Sequence, residues 1–172
     1  MRKNDSSESR SSAMEPTSAS SGSSVFWRVF WLGFLVLSLG YAGYSFYAPG
    51  NRIAWSESHV VAQRLSAETD KPIMLFFTGK WCSPCQIMKR QVFADDEVAA
   101  LINAGLIPVT IDVDDADVAA TLGRYRIGGT PRTIITDSGG DVLADWQGRM
   151  SKVEFVDMLG ALGLGESAKA DP

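Results

Sequence analysis

The chain has 172 residues, 45% of them hydrophobic and 21% charged, with a formal net charge of −4. That balance carries no basic footprint for nucleic acid, and the length holds one modest domain with appended segments. Two cysteines and one histidine, His59, fall short of the roughly four ligands that a structural zinc site takes.

Residues 1–24 are serine-rich, with scattered charges of both signs and almost nothing apolar. Such a segment buries too little surface to offset its ordering entropy, so a disordered tail is expected. Residues 25–48 change character. No charge occurs from Val29 to Gly50, and Phe30, Trp31, Leu32, Phe34, Leu35, Val36, Leu37 and Leu39 form a solid apolar centre. This matches the ~20 residues that cross a bilayer core, with Trp27 and Trp31 near one end and Tyr41, Tyr44 and Tyr47 toward the other. The competing reading is a signal peptide cut after Ala42. The apolar run exceeds the usual ~7–15 residues of such a peptide and its leader is long, which favours a single-pass anchor. Arg28 abuts the N-terminal end and Arg2, Lys3 and Arg10 lie further out. The positive-inside bias then leaves the following domain outside the cytoplasm, in a periplasm-like space.

Residues 51–165 read as one α/β domain, with 166–172 a frayed C-terminus. Trp55 to Thr69 has a helical apolar face carrying Val60, Val61 and Leu65, with His59 beside it as a solvated or packing residue. Ile73 to Thr78 is a near-continuous apolar run of the fully buried strand type. Trp81-Cys82-Ser83-Pro84-Cys85 follows and holds both cysteines. A helix to about Val92 comes next. The pair therefore sits where a buried strand turns into a helix. Unpaired N–H groups and the partial positive charge of a helix N-terminus stabilise a thiolate there. Pro84 falls in the first turn, where its missing N–H costs nothing. An inert structural pair is the plain alternative.

Asp95 or Asp96 caps a second helical piece ending at Gly105. Leu106 to Val113 is a second buried strand, and Ala116 to Tyr125 a helix. Arg132 to Thr136 and Val142 to Gln147 flank Asp137-Ser138-Gly139-Gly140, a hairpin signal. Ser151 caps a last helix to about Leu162.

This order of elements, with Trp81-Cys82-x-x-Cys85 and Gly129-Thr130-Pro131 before the third strand, resembles the thioredoxin superfamily. Within it the chain is similar to the C-terminal domain of the transmembrane thiol:disulfide interchange reductases. The matching pieces are Lys71 to Leu75, Trp81-Cys82, Cys85, Phe93-Ala94-Asp95, Asp112-Val113, Tyr125-x-Ile127-x-Gly129-x-Pro131 and Trp146-x-Gly148. The resemblance implies a thioredoxin fold, a mixed sheet flanked by helices. It implies a redox-active Cys82–Cys85 disulfide with no other cofactor and no metal. Cys82 would be the more exposed attacking thiolate, and Cys85 the buried resolving thiol. Pro131 would be cis, and the backbone of Thr130 would pair with a bound partner strand. Trp81 would pack over the site.

The departures from the family pattern are specific. Many thioredoxins carry a buried acid six residues before the first cysteine, where this chain has Phe76. The interchange reductases carry an acid four residues after the second cysteine, where this chain has Lys89. The proline that kinks the thioredoxin active-site helix is replaced by Arg90. Lys80, Lys89 and Arg132 stand near the motif instead, either as a solvated basic rim or as cations that lower the pKa of Cys82. In the second case Cys82 titrates below an unperturbed ~8.5, and the potential lies above the about −270 mV of thioredoxin.

The expected function is a membrane-anchored thiol–disulfide oxidoreductase. Its partners would be protein thiols and disulfides, the membrane through residues 25–48, and a redox partner protein. The alternatives are a peptide-binding module without turnover and a copper-delivery protein. The latter resembles CxxxC with a downstream histidine, whereas the spacing here is one shorter and His59 lies upstream.

Overall fold

The computed structural model describes residues 22–47 and 50–164. The expected serine-rich tail (but for its last residues) and the expected frayed C-terminus lie outside these. Two compact units are present, split between Gly40 and Tyr41.

Helix α1 runs Gly22–Phe46, and the first unit holds it as far as Gly40. Its stretch Val25–Ser45 has a mean hydropathy of 1.6 and is long and apolar enough to cross a membrane. Its large apolar side chains are exposed rather than packed on a core. Trp27, Phe30, Trp31 and Phe34 form an aromatic ladder, with Trp27 and Trp31 stacked at 6.4 Å between centroids.

The second unit contains the α/β domain. Its elements are α2 (His59–Thr69), β1 (Ile73–Thr78), α3 (Ser83–Met88), a π-helical segment (Lys89–Phe93), α4 (Asp96–Gly105), β2 (Ile107–Asp112), α5 (Ala119–Arg124), β3 (Arg132–Thr136), β4 (Val142–Gln147) and α6 (Lys152–Ala161). The mixed sheet has the order β2-β1-β3-β4. Strand β1 is parallel to β2 and antiparallel to β3, and β4 is antiparallel to β3. With strands on both sides and helices on both faces, β1 is buried along its whole length. That is why its sequence is continuous rather than alternating.

Side chains alternate across the sheet. Met74, Phe76 and Ile135 point to one face, packed with Met88, Val92, Phe93, Ile102, Phe155 and both cysteines. Ile73, Leu75, Phe77, Val109, Ile111 and Ile134 point to the other, packed with Ala62 and Tyr125. On the cysteine face Phe76 meets Phe93 edge-on at 4.9 Å, and Phe93 meets Trp55 at 5.5 Å and Phe155 at 5.7 Å.

The boundaries differ from the sequence expectation in three places. Helix α2 starts at His59, not Trp55, because the Ser58 side chain accepts the Val61 N–H and caps it. The residues before it are extended, and Ser56 bridges to Val109 in parallel. The helix after Cys85 keeps α geometry only to Met88 and then widens to a π segment. Helix α5 covers only Ala119–Arg124, with turns from Val113 to Asp117. Elsewhere the caps act as expected. Asp95 accepts N–H bonds from Glu97 and Val98, Ser151 and Glu154 form a capping box, and Gly140 takes φ +84° in the hairpin.

Phe76 is fully buried in this aromatic cluster. Phe76→Ala should therefore destabilise the domain by about 3–5 kcal/mol. Urea unfolding followed by near-UV circular dichroism tests this; a loss below ~1 kcal/mol would mean the cluster collapses freely onto the gap.

Candidate active site

Strand β1 ends at Thr78, and a turn through Gly79, Lys80 and Trp81 delivers the chain to α3. The Cys82 N–H donates to the Gly79 carbonyl at 3.1 Å. Cys82 is the N-cap of α3 and Pro84 lies in its first turn. Cys82 and Cys85 are joined in a disulfide, with Cα atoms 5.2 Å apart. The Cys85 N–H donates to Cys82 Sγ at 3.2 Å.

The resemblance implies that Cys82 is the more exposed of the two. It is only 2% exposed and Cys85 is fully buried. The capping geometry turns Cys82 inward, and its sulfur packs with the apolar cluster under α3. Trp81 is the exposed residue, at 61%. Its indole lies against Gly79, where an added Cβ would meet ring atoms at 3.0 Å. Its Nε1–H donates to Asp114 Oδ2 at 2.7 Å. The backbone N–H of Asp114 in turn donates to Asp112 Oδ1 at 3.1 Å.

Thr130 and Pro131 precede β3, and the bond between them is cis. The Pro131 carbonyl accepts the Gly148 N–H at 2.8 Å, which ties the loop to the end of β4. Among the described residues the backbone of Thr130 has no hydrogen-bond partner, and its Oγ1 is buried without one.

The three cations separate. Lys80 is exposed, with no ion pair among the described residues. Lys89 is half-buried, and burial lowers its pKa while Asp112 opposes that shift. Arg132 does not face the cysteines. It shares the sheet face of Ile134, the face away from α3. Its guanidinium pairs with Asp145, through Nε to Oδ1 at 2.8 Å and through Nη2 to Oδ2. Nη1 donates to the Arg126 carbonyl at 3.0 Å. The Asp145 hydrogen bond raises the Arg132 pKa. The reading of Arg132 as a cation tuning Cys82 is corrected on both counts: its position and its neutralised charge.

His59 opens α2 and lines a cleft with Asp115, Asp117 and Thr121. Burial and then Arg124 lower its pKa. Among the described residues no three His, Cys, Asp or Glu side chains cluster as metal ligands would. Two carboxylates outside the motif hold its neighbours: Asp114 under Trp81 and Asp145 under Arg132. Asp145 had a signal. Once the hairpin pairs Arg132 with Gln147, Asp145 is the diagonal neighbour on the same face. Asp114 had none, since no rule links it to a tryptophan 33 residues away.

Residues 61–163 match the family model of a thioredoxin-like domain. Among curated proteins, the chain is 38% identical over 81 residues to the thiol:disulfide interchange protein DsbD of Ralstonia nicotianae, covering 46% of this chain and 13% of that protein. It is 29% identical over 101 residues to DsbD 1 of Pseudomonas aeruginosa, covering 58% of this chain and 16% of that protein. The chain thus spans only a small part of the length of these relatives. Among solved structures, a thioredoxin of Thermus thermophilus superposes with a TM-score of 0.60 at 22% identity, covering 70% of this chain and 94% of that one. The oxidised C-terminal domain of Neisseria meningitidis DsbD superposes with a TM-score of 0.52 at 20% identity, covering 59% and 90%.

The placement of Arg132 makes a double prediction. Arg132→Met leaves an exposed Asp145 to water and should cost no more than about 1 kcal/mol. It should leave the Cys82 titration, followed by thiolate absorbance in the reduced protein, unmoved. A rise in the Cys82 pKa on this substitution would put the guanidinium back at the thiols.

Proposed function

The chain belongs to the thioredoxin-like domain family, and from that premise we propose that it is a membrane-anchored thiol–disulfide oxidoreductase working through Cys82 and Cys85. The observation that carries this reading is the disulfide at the N-cap of α3, with the Cys85 N–H bonded to Cys82 Sγ. The relatives named as thiol:disulfide interchange proteins support the reaction class.

In the reducing direction, the Cys82 thiolate attacks one sulfur of a partner disulfide. A Cys82–partner mixed disulfide forms and the partner's other sulfur leaves as a thiolate. Cys85, as thiolate, then attacks Cys82 Sγ, closing the Cys82–Cys85 bond and releasing the partner's second thiolate. Two electrons pass to the partner, so a second thiol protein must reduce the disulfide again. The oxidising direction runs the same steps backward. The asymmetry of the two sulfurs supports the roles. Cys82 has a backbone donor at its sulfur, whereas Cys85 is buried among apolar side chains, which raises a thiol's pKa. The unpartnered Thr130 backbone supports docking of an extended partner segment as an added strand. Trp81, held by Asp114, would present an exposed ring to that segment. Pro84 holds the first turn of α3.

Residues 25–48 act in this proposal as a single-pass anchor, with the redox domain in a periplasm-like space. The apolar helix and the basic residue Arg28 on its N-terminal side support it.

Cys82→Ser should abolish insulin-disulfide reduction. Cys85→Ser should retain attack but lose resolution, accumulating mixed disulfides visible after thiol trapping on non-reducing gels. Equal trapping by both variants would refute the division of roles, and wild-type turnover without either cysteine would refute the reaction.

Protease added to spheroplasts of an expressing cell should digest residues 51–165. Full protection would mean the opposite orientation. Recovery of a chain beginning near Gly43 would mean that the apolar segment is a cleaved signal.

A further inference from the structure

The resolving thiol presents a chemical problem that the cysteine pair does not solve by itself. Cys85 is fully buried in the cluster beneath α3, among Phe76, Met88 and Phe93. To attack Cys82 Sγ it must shed a proton, and a thiolate is disfavoured in such surroundings. Apart from Cys82, the one titratable side chain within a helical turn of Cys85 is Lys89. The Lys89 N–H donates to the Cys85 carbonyl. It therefore stands one α-turn on, with its side chain over the same helix face. Neighbouring side chains four apart are ~5–6 Å between Cβ atoms, which a lysine stem bridges.

Lys89 is half-buried rather than extended into water. The sheet surface on the cysteine side carries Phe76, Thr78, Thr110 and Asp112. The alternation of β1 and β2 puts these four on the cysteine side. Asp112 is the carboxylate whose field reaches Lys89. Beyond it Asp114 is held by the Trp81 indole. On the flanking segments Asp95, Glu97 and Lys152 are paired with one another, Asp96 with Arg52, Glu154 accepts from Ser151, and Arg90 donates to backbone carbonyls. Lys80 and Arg132 are accounted for elsewhere, in water and on the opposite face.

Resting on the oxidoreductase reading above, we propose that Lys89 is the proton acceptor for Cys85 in the resolving step. The neutral amine takes the proton from the Cys85 thiol, giving an ammonium and a thiolate. The thiolate attacks Cys82 Sγ of the mixed disulfide. The Cys82–Cys85 bond forms, the partner sulfur leaves as a thiolate, and the ammonium returns its proton to that thiolate or to water. Burial keeps the amine readier to be neutral than a solvated lysine, and the charge of Asp112 favours the ammonium once formed.

The test uses the reduced full chain in detergent micelles and the aromatic disulfide DTNB as the probe. Attack by Cys82 releases one coloured thiolate, and resolution by Cys85 releases the second, so stopped-flow absorbance separates the steps. Lys89→Met should leave the first phase at the wild-type rate and slow the second about 100-fold at neutral pH, the scale of a positioned general base. The pH profile of the second phase should move upward. Lys89→Arg is the deciding variant. A guanidinium keeps the positive charge but does not give up its proton, so its second phase should be as slow as that of Lys89→Met. Lys89→Gln provides a second neutral variant in case the methionine disturbs packing, as judged by far-UV circular dichroism. A wild-type second phase in Lys89→Arg would reduce Lys89 to a field effect and overturn the proposal, as would an unchanged phase in both neutral variants. Wild-type protein that releases no second thiolate at any pH would instead overturn the oxidoreductase reading on which the proposal rests.

Discussion

The constraint on which the site depends is the burial of β1 on both faces. A strand flanked by neighbours and covered by helices has no polar side to spare, so Met74, Phe76 and Ile73 to Phe77 as a whole are apolar. The chain leaving its C-terminal end must then turn directly into α3. This puts Cys82 at the cap and Cys85 one turn inside, over the aromatic floor of Phe76 and Phe93. The reactive bond thus lies on a boundary. One sulfur touches the polar N-terminal end of a helix, and the other touches hydrocarbon.

That boundary decides which charges matter. A cation in water at the rim is screened over about a Debye length of ~10 Å at 0.1 M salt. Lys80 is such a group. Arg132 is closer to the sheet but is matched by Asp145 and directed to the far face, so its net field at the thiols is small. What remains is short-range: the Cys85 N–H on Cys82 Sγ and the half-buried Lys89 with Asp112 behind it. Short-range contacts in a dry setting outweigh several distant charges.

The sequence was a good guide where local chemistry and tertiary structure agree. β1, β3 and β4 have the expected limits because a buried apolar run and a hairpin turn specify them in their own residues. Ser151 caps the helix it was expected to cap, and of the two candidates Asp95 and Asp96 it is Asp95 that caps α4. The spacing of the cysteines, with the apolar run before them, located the site. The reading failed where the deciding partner lies far along the chain. Arg132 looked like a neighbour of the proline and therefore of the thiols, yet β-strand alternation sends it to the other face. The start of α2 was misplaced because Trp55 suits a helix face, but its ring is needed against Phe93 and Phe76. The resemblance implied a Cys82 more exposed than Cys85, and the inward capping geometry leaves Cys82 2% exposed beside a fully buried Cys85.

The π segment follows from the same packing demand. Met88, Val92 and Phe93 are all fully buried on the cysteine face. Met88 and Val92 lie four apart and suit an α-helix, whereas Phe93, five beyond Met88, turns away from that stripe in α geometry. Widening the helix between Lys89 and Phe93 brings Phe93 back under it, against Phe76. No proline is required for the change of geometry, and Arg90 stands inside the widened segment. The change begins only at Lys89, whose N–H still reaches the Cys85 carbonyl. The turn that aligns Lys89 with Cys85 is therefore regular, and the irregular turn lies wholly beyond it. The aromatic floor and the proposed proton path are in this way compatible: the helix is distorted to fill the core without disturbing the turn that carries the chemistry.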